Sequence, residues 1–405
     1  MKIWIICTAL TAGAIVLGGL VGTTPVAHSE PTAEADTTQG QPERTIILMI
    51  GDGMGYEQIK AAGFFAWGEN GKLTMQNLPV KGSCTTYDAG GPKHTTDSAA
   101  AGTALATGVK ANNGVLSMRI PGDGSKLPTI LELAKKRNWR TGLVATSHVT
   151  HATPAAFASH VKSRNLYGPI AAQMLRTTRP DLILGGGGRG MSVADAKLAG
   201  WDVATDRSSL RRVLDQPRSK VKRIAGLFGK GHMPYEYEYA MRIDPRYDAL
   251  PHLSEMTSAA LKYLGSGESK GMFLMIEGSR IDHAGHMNDI HRNILETLEF
   301  DSAVRIVLEW ARTRPNVLVI VTSDHECGGL KVLKNNGRGE RPEVSWGSKG
   351  HTNVEVPVFA AGSGAKEFAG KMDNTDIFSK MKAFMDAPLA ELKKADSSST
   401  AKSGY

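Results

Sequence analysis

Six short runs that are apolar at almost every position constrain this chain more than any other feature. They are TIILMI at 45–50, TGLVAT at 141–146, DLIL at 181–184, MFLMI at 272–276, VLVIVT at 317–322 and VPVFAA at 356–361. A strand without polar alternation is a strand buried on both faces, and such strands belong to parallel sheets with helices packed on each side. Helical periodicity falls between the runs, over 127–137, 154–163, 167–177, 253–264 and 290–312. The pattern predicts an α/β fold with a mainly parallel central sheet and helices on both faces. With 41% hydrophobic and 22% charged residues, the 405-residue chain has the composition to fill such a core, which excludes a disordered protein.

The ends read differently. Residues 1–29 hold Lys2, an apolar run over 3–21 and the small residues Ala27 and Ser29 around His28, the layout of an export signal. An uncleaved anchor is the alternative, because the run approaches spanning length. Export places the mature chain in the periplasm or outside the cell. Residues 30–43 form a polar, flexible leader and 387–405 a tail rich in Lys, Ser and Ala, leaving 44–386 as one folded domain. No segment after the signal is apolar enough to span a bilayer. The formal net charge of +8 is spread thinly, with no dense Lys/Arg block of the kind that tracks nucleic acid. Cys7 falls in the signal; Cys84 and Cys327 remain, paired or free, and neither sits in a CxxC pattern. Gly185 to Gly188 follow the DLIL run without the GxxxxGK[ST] of a phosphate loop, so they read as a flexible turn.

In a sheet of this kind, functional groups gather at the carboxyl ends of the strands. The residues just past four runs fit that rule. TIILMI leads into Gly51-Asp52-Gly53-Met54-Gly55, and MFLMI into Glu277, Asp282, His283 and His286. VLVIVT leads into Ser323-Asp324-His325, and TGLVAT into Ser147-His148-Val149-Thr150-His151-Ala152-Thr153-Pro154. Each cluster alone is ordinary: an Asp after a strand often caps a helix or forms a turn. Asp282 and His286, four apart, share a helix face, where a surface ion pair serves as well as a ligand pair. Together they give one rim enough carboxylate, imidazole and hydroxyl groups for more than one metal ion: mixed N/O donors suit zinc, and all-oxygen sets with Thr suit magnesium.

The stretch His94–Gly108 (HTTDSAAAGTALATG) is nearly free of bulky side chains, yet sets Asp97 beside Ser98. A serine hydroxyl is a poor nucleophile unless a base or a metal takes its proton. No histidine stands in the motif as that base, and no GxSxG elbow is present. If Ser98 opens a helix, its hydroxyl and the first amides face a phosphate site; the plain alternative makes Asp97 or Ser98 an N-cap on a buried Ala-rich helix.

In these motifs the chain resembles the alkaline phosphatases. The resemblance is carried, in that family's order, by Gly51-Asp52-Gly53-Met54-Gly55, Thr96-Asp97-Ser98-Ala99-Ala100 with Thr107-Gly108, and Ala152-Thr153-Pro154-Ala155. Ser163-Arg164 with Tyr167-Gly168, Glu277 with Asp282 and His286, Asp324-His325 and Gly350-His351-Thr352 complete it. It implies a phosphomonoesterase acting on small phosphate monoesters through a phosphoserine at Ser98. It implies two zinc ions, one on Asp282, His286 and His351, the other on Asp52, Asp324 and His325 with the Ser98 oxygen beside it. Asp52 would also reach a magnesium ion completed by Thr153 and Glu277, and Arg164 would clamp two phosphate oxygens. His151 stands where many relatives have an Asp at the third metal, and His283 where many have a phosphate-contacting Lys. The identity of the third metal therefore stays open. Cys327, two residues past a ligand, reads as a neighbour of the metal and not as a ligand. Family members are commonly dimers, an implication weakened here because 326–350, where relatives build a dimer-covering crown, is short. A diesterase or sulfatase on the same scaffold would expect a Thr nucleophile or a Cys/Ser-x-Pro-x-Arg motif. A binding protein that had lost catalysis would lack a ligand or the nucleophile. This sequence matches neither.

Overall fold

The computed structural model describes residues 42–389. The export signal expected over 1–29, all but the last two leader residues, and the tail beyond Leu389 lie outside the described residues. In chain order the first eight strands are β1 (Thr45–Gly51), β2 (Val80–Thr85), β3 (Arg140–His148), β4 (Leu182–Gly186), β5 (Asp202–Ala204), β6 (Ile224–Leu227), β7 (Met272–Gly278) and β8 (Val317–Thr322). Then come the two-residue β9 (Glu326–Cys327), a hairpin of β10 (Leu330–Lys334) and β11 (Glu343–Trp346), and the two-residue β12 (His351–Thr352). β13 (Val356–Gly362) and β14 (Gly370–Asp373) return to the main sheet.

That sheet has ten strands in the order β14-β2-β13-β8-β1-β7-β3-β4-β6-β5. Its pairings are parallel except where β13 meets β8 and β2. All six apolar runs lie in its strands, DLIL from Leu182 onward, and their continuous character has the expected cause. Ile46, Leu48 and Ile50 of β1 pack into the core on one face, while Ile47 and Met49 pack into the core on the other. Each such buried side chain stabilises the fold by about 1.5–3 kcal/mol. β2, by contrast, is half exposed and polar in part, and β5 has three residues, so neither carries an apolar run to announce it.

The helices over Leu253–Leu264 and Ile290–Ala311 match their periodic segments within a residue. Elsewhere local chemistry moves the ends. Thr129 caps Ile130–Lys136, its hydroxyl accepting from Glu132 N (3.1 Å) while Glu132 Oε2 accepts from Thr129 N (3.0 Å), so that helix starts three residues after the pattern does. The 154–163 pattern forms Ala152–Ala158, ended by extended backbone at Ser159. The 167–177 pattern runs as α-helix to Ala172 and then widens into a π-helical turn over Gln173–Thr178. The glycines after DLIL also differ from the flexible turn expected: Gly185 and Gly186 complete β4, where a Cβ on Gly186 would collide with the Gly231 carbonyl. Among the described residues, no helix is long and apolar enough to cross a membrane.

Candidate active site

Sheet register brings the polar clusters to one level. Ile50 of β1 pairs with Glu277 of β7 on one side and Thr322 of β8 on the other, and Ala145 of β3 pairs with Glu277. Asp52, Glu277 and Asp324 therefore leave three adjacent strands at the same carboxyl edge. The turn after β1 holds them together: Gly53 N donates to Asp324 Oδ1 (3.1 Å) and Met54 N to Ser323 Oγ (3.0 Å). Gly53 is required there, because its φ is +72° and a Cβ would lie 2.7 Å from Asp282 Cα. That close approach seats the short helix Arg280–His286, which carries Asp282 and His286 one turn apart, against the β1 turn.

The predicted ligands converge in three groups, the ligand atoms of each lying within 4.8 Å of one another: Asp282, His286 and His351 with Cys327; Asp52, Asp324 and His325; and Asp52, His151 and Glu277. In the first, Asp282 Oδ2 lies 3.3 Å from His286 Nε2 and Oδ1 lies 3.3 Å from His351 Nε2. The imidazoles are aimed by their far nitrogens, His351 Nδ1 against Thr96 O (2.9 Å) and His286 Nδ1 against Lys349 O (2.6 Å). In the second, His325 Nε2 is 3.1 Å from Asp324 Oδ2 and 3.6 Å from Asp52 Oδ1.

The donors fit cations on the evidence of their own hydrogen bonding. Both Asp52 oxygens, Glu277 Oε1 and Thr153 Oγ1 are buried without a hydrogen-bonding partner. Buried carboxylates normally find donors, and a bare buried charge is costly. Burial, followed by the neighbouring carboxylates Asp324, Asp282 and Glu277, pushes Asp52 well above the usual range. Burial likewise raises Glu277 to about 7 and Asp324 to about 6. Asp282 goes the other way: burial pushes it up, but hydrogen bonds with His286 and His351 override this and hold it well below its usual value. Burial also drives His325 and His151 well below the usual imidazole range, keeping both neutral and able to ligate.

Ser98 opens the helix Ser98–Thr107, and the alternatives for its role are separated by the cap. Asp97 is the N-cap, its Oδ1 accepting from Ala100 N (2.9 Å), which leaves the Ser98 hydroxyl free. That hydroxyl lies 3.3 Å from His325 Nε2, a neighbour 227 positions away that the local motif does not announce. The small residues have a packing purpose: a Cβ on Gly102 would stand 3.1 Å from Ala156 Cβ, so only a bare helix fits against Ala152–Ala158. Arg164 is fixed by Asp97 Oδ2 (3.0 Å from Nη1), the residue before Ser98, and by His151 Nε2 (3.1 Å from Nη2).

His283 lies in a ring cluster, 5.5 Å from His151 and 4.4 Å from His232 between centroids, with Arg280 Nη1 3.1 Å from its Nδ1. Sequence reading missed His232, which no strand end or spacing marks. It also left out Ser279, two residues after Glu277, whose hydroxyl donates to Glu277 Oε2 (2.6 Å). Asp97 was seen only as a cap, and the structure adds its ion pair with Arg164. Cys84 and Cys327 are both free and buried.

Comparison with known proteins agrees with this arrangement. Residues 43–338 and 329–387 match the family model for alkaline phosphatase. The chain is 34% identical over 421 residues to the alkaline phosphatase of Escherichia coli strain K12, covering 87% of this chain and 88% of that one. It is 34% identical over 411 residues to the streptomycin-6-phosphate phosphatase of Streptomyces griseus, covering 84% and 90%. Among solved structures, a cold-active alkaline phosphatase from Shewanella sp. superposes with a TM-score of 0.74 at 31% identity, over 85% of this chain and all of that one. The matches run through every strand and turn that carries the converging groups, and the chain belongs to the alkaline phosphatase family of phosphomonoester hydrolases.

Proposed function

We propose that the chain hydrolyses phosphate monoesters through a phosphoserine at Ser98, with zinc held by Asp282, His286 and His351, zinc held by Asp52, Asp324 and His325, and magnesium or a related ion held by Asp52, Glu277, Thr153 and His151. The observation that carries this is the Ser98 hydroxyl, buried and uncapped, 3.3 Å from His325 Nε2 at the meeting of the first two groups. A solved neighbour supports magnesium as one of the ions. In a His-to-Asp variant of the TAB5 alkaline phosphatase, 29% identical with a TM-score of 0.72, magnesium is bound in a site called M3.

Ser98 Oγ attacks phosphorus in line with the ester oxygen; the new O–P bond forms as the ester O–P bond breaks and the alcohol departs. Water then attacks the phosphoserine, releasing inorganic phosphate and restoring the hydroxyl. When bound, the ions supply Lewis-acid activation of the attacking oxygen and charge neutralisation of the leaving one. Arg164, held by Asp97 and His151, keeps further N–H groups for two non-bridging phosphate oxygens, a bidentate contact that a monoester satisfies better than a diester. His283, beside His151, would reach the same phosphate through water. Export of the mature chain completes the proposal and rests on the composition of residues 1–29.

The test is a comparison of aryl phosphate and aryl phosphodiester turnover by the metal-loaded protein, beside Ser98→Ala and a chelated sample. Monoester turnover that collapses in both controls is expected. Faster diester cleavage would favour the diesterase reading.

A further inference from the structure

The geometry points to Cys327 as a sulfur donor to the ion that Asp282, His286 and His351 would hold, an inference that rests on the reading of that group as a metal site. Its sulfur groups with one ligand atom from each of the three, all within 4.8 Å of one another. Two independent restraints put it there. In the β9–β12 ladder Cys327 is the direct partner of His351, which sets their side chains about 4.5–5.5 Å apart at Cβ. Its backbone is tied on the other side, N donating to Gly53 O (3.1 Å) and O accepting from Gln58 Nε2 (2.9 Å). The helix bearing Asp282 and His286 then closes over the thiol: a Cβ at Gly285 would stand 3.0 Å from Cys327 Sγ. Asp282, only 3% exposed, lines the same pocket, its Oδ2 3.3 Å from His286 Nε2 and its Oδ1 3.3 Å from His351 Nε2. The thiol itself is fully buried and forms no disulfide.

A thiolate is the ligating form, so binding a divalent ion forms one sulfur–metal bond and releases the Cys327 proton to solvent, with no change in oxidation state. Sulfur beside Asp282, His286 and His351 would fill the four positions zinc usually takes, and an oxygen of the substrate would enter only as the coordination expands to five. Sulfur enters from β9 beneath Gly285, whereas Ser98 stands beside His325, whose ring is stacked on His351 at 3.6 Å. The donor set then selects zinc or cobalt over magnesium or manganese at this position.

X-ray absorption at the zinc edge of the zinc-loaded chain tests this directly. A sulfur shell at about 2.3 Å is expected, absent in Cys327→Ser and retained in Cys84→Ser, the other cysteine among the described residues. Zinc affinity of Cys327→Ser should fall roughly ten- to a hundredfold, and the cobalt-loaded protein should lose a sulfur-to-cobalt charge-transfer band. The wild-type spectrum does not depend on how the variant folds. A sulfur-free spectrum with zinc bound would overturn the role of Cys327 and leave the metal reading intact. Failure to bind zinc at all would remove the metal reading, and this inference with it.

Discussion

Two of the proposed ligand groups face each other across the stacked rings of His325 and His351, yet they sit in different surroundings. Asp52, Asp324 and His325 have no exposed side-chain surface. At the rim, the His286 side chain is 40% exposed and that of His351 13%. Burial of the interior group pushes its carboxyls up and its imidazole down, so it resists holding any charge alone. At the rim the hydrogen bond that His286 donates to Asp282 lifts the imidazole to about 9, and a proton on that ring already compensates the carboxylate. The interior group thus has no protein substitute for a cation, whereas the rim group has one. On the proposed reading, the interior ion is part of the fold's charge balance and the rim ion is exchangeable.

The largest effect should come from breaking the interior set. Asp324→Ala is expected to lower monoester kcat/KM at least on the order of a thousandfold, about 4 kcal/mol of barrier, with no recovery in excess zinc. His286→Ala should also lose activity but regain a substantial part as zinc is raised, because Asp282 and His351 remain. Titrating zinc against turnover for both variants checks this, and identical curves would erase the distinction.

Arg164 sharpens the comparison from the phosphate side. Arg164→Ala should reduce monoester kcat/KM roughly 10- to 100-fold, the range set by about 1.5–3 kcal/mol for a charged hydrogen bond. The fall should be smaller for a diester, while zinc content stays unchanged. Loss of zinc in this variant would mean that Arg164 acts through His151, its partner at 3.1 Å, and not on phosphate.

The pH dependence of stability separates the metal-free and loaded states. Glu277 rises from 4.5 to about 7 and Asp324 from 3.8 to about 6, burial being the largest cause for each. A carboxyl raised in the folded state binds its proton more tightly there than in the unfolded chain. Its contribution is therefore complete below the unfolded value and is lost as pH climbs through the folded one. The chelated protein should lose about several degrees of Tm between pH ~4 and ~7, each kcal/mol corresponding to about 2 °C in a chain of this size. The zinc- and magnesium-loaded protein should not. Calorimetry across that window decides it.

Much of the site was legible because it lies where sheets of this class put their chemistry. Asp52, Glu277 and Asp324 each follow a continuous apolar run by one or two residues, and register does the rest. His351 and Arg164 have no such address, and the family's motif order alone supplied them. The place of Ser98 beside His325 likewise came from the family resemblance and not from the local motif, whereas the pairing of Cys327 with His351 was beyond reach, since it depends on how a turn and a two-residue ladder close together. β2 and β5 escaped for a plainer reason, having too few buried positions to leave a hydrophobic signature.

The smallest effect concerns the third group, which borrows Asp52 from the interior set and is tuned by residues that touch no metal ligand position of the other two. Ser279 Oγ donates to Glu277 Oε2 at 2.6 Å and also reaches Ser147 Oγ at 3.0 Å, leaving Glu277 Oε1 as the oxygen without a partner. Removing this donor leaves only the longer bond from Ser147 Oγ (3.5 Å) to hold the carboxylate, with Asp52, Thr153 and His151 in place. Ser279→Ala should accordingly weaken magnesium binding about tenfold, the lower end for loss of a hydrogen bond behind a ligand. Turnover should fall when magnesium is scarce and return to the wild-type value when it is abundant, with zinc affinity unmoved. A matching loss of zinc would show that the interior and third groups respond as one unit through Asp52.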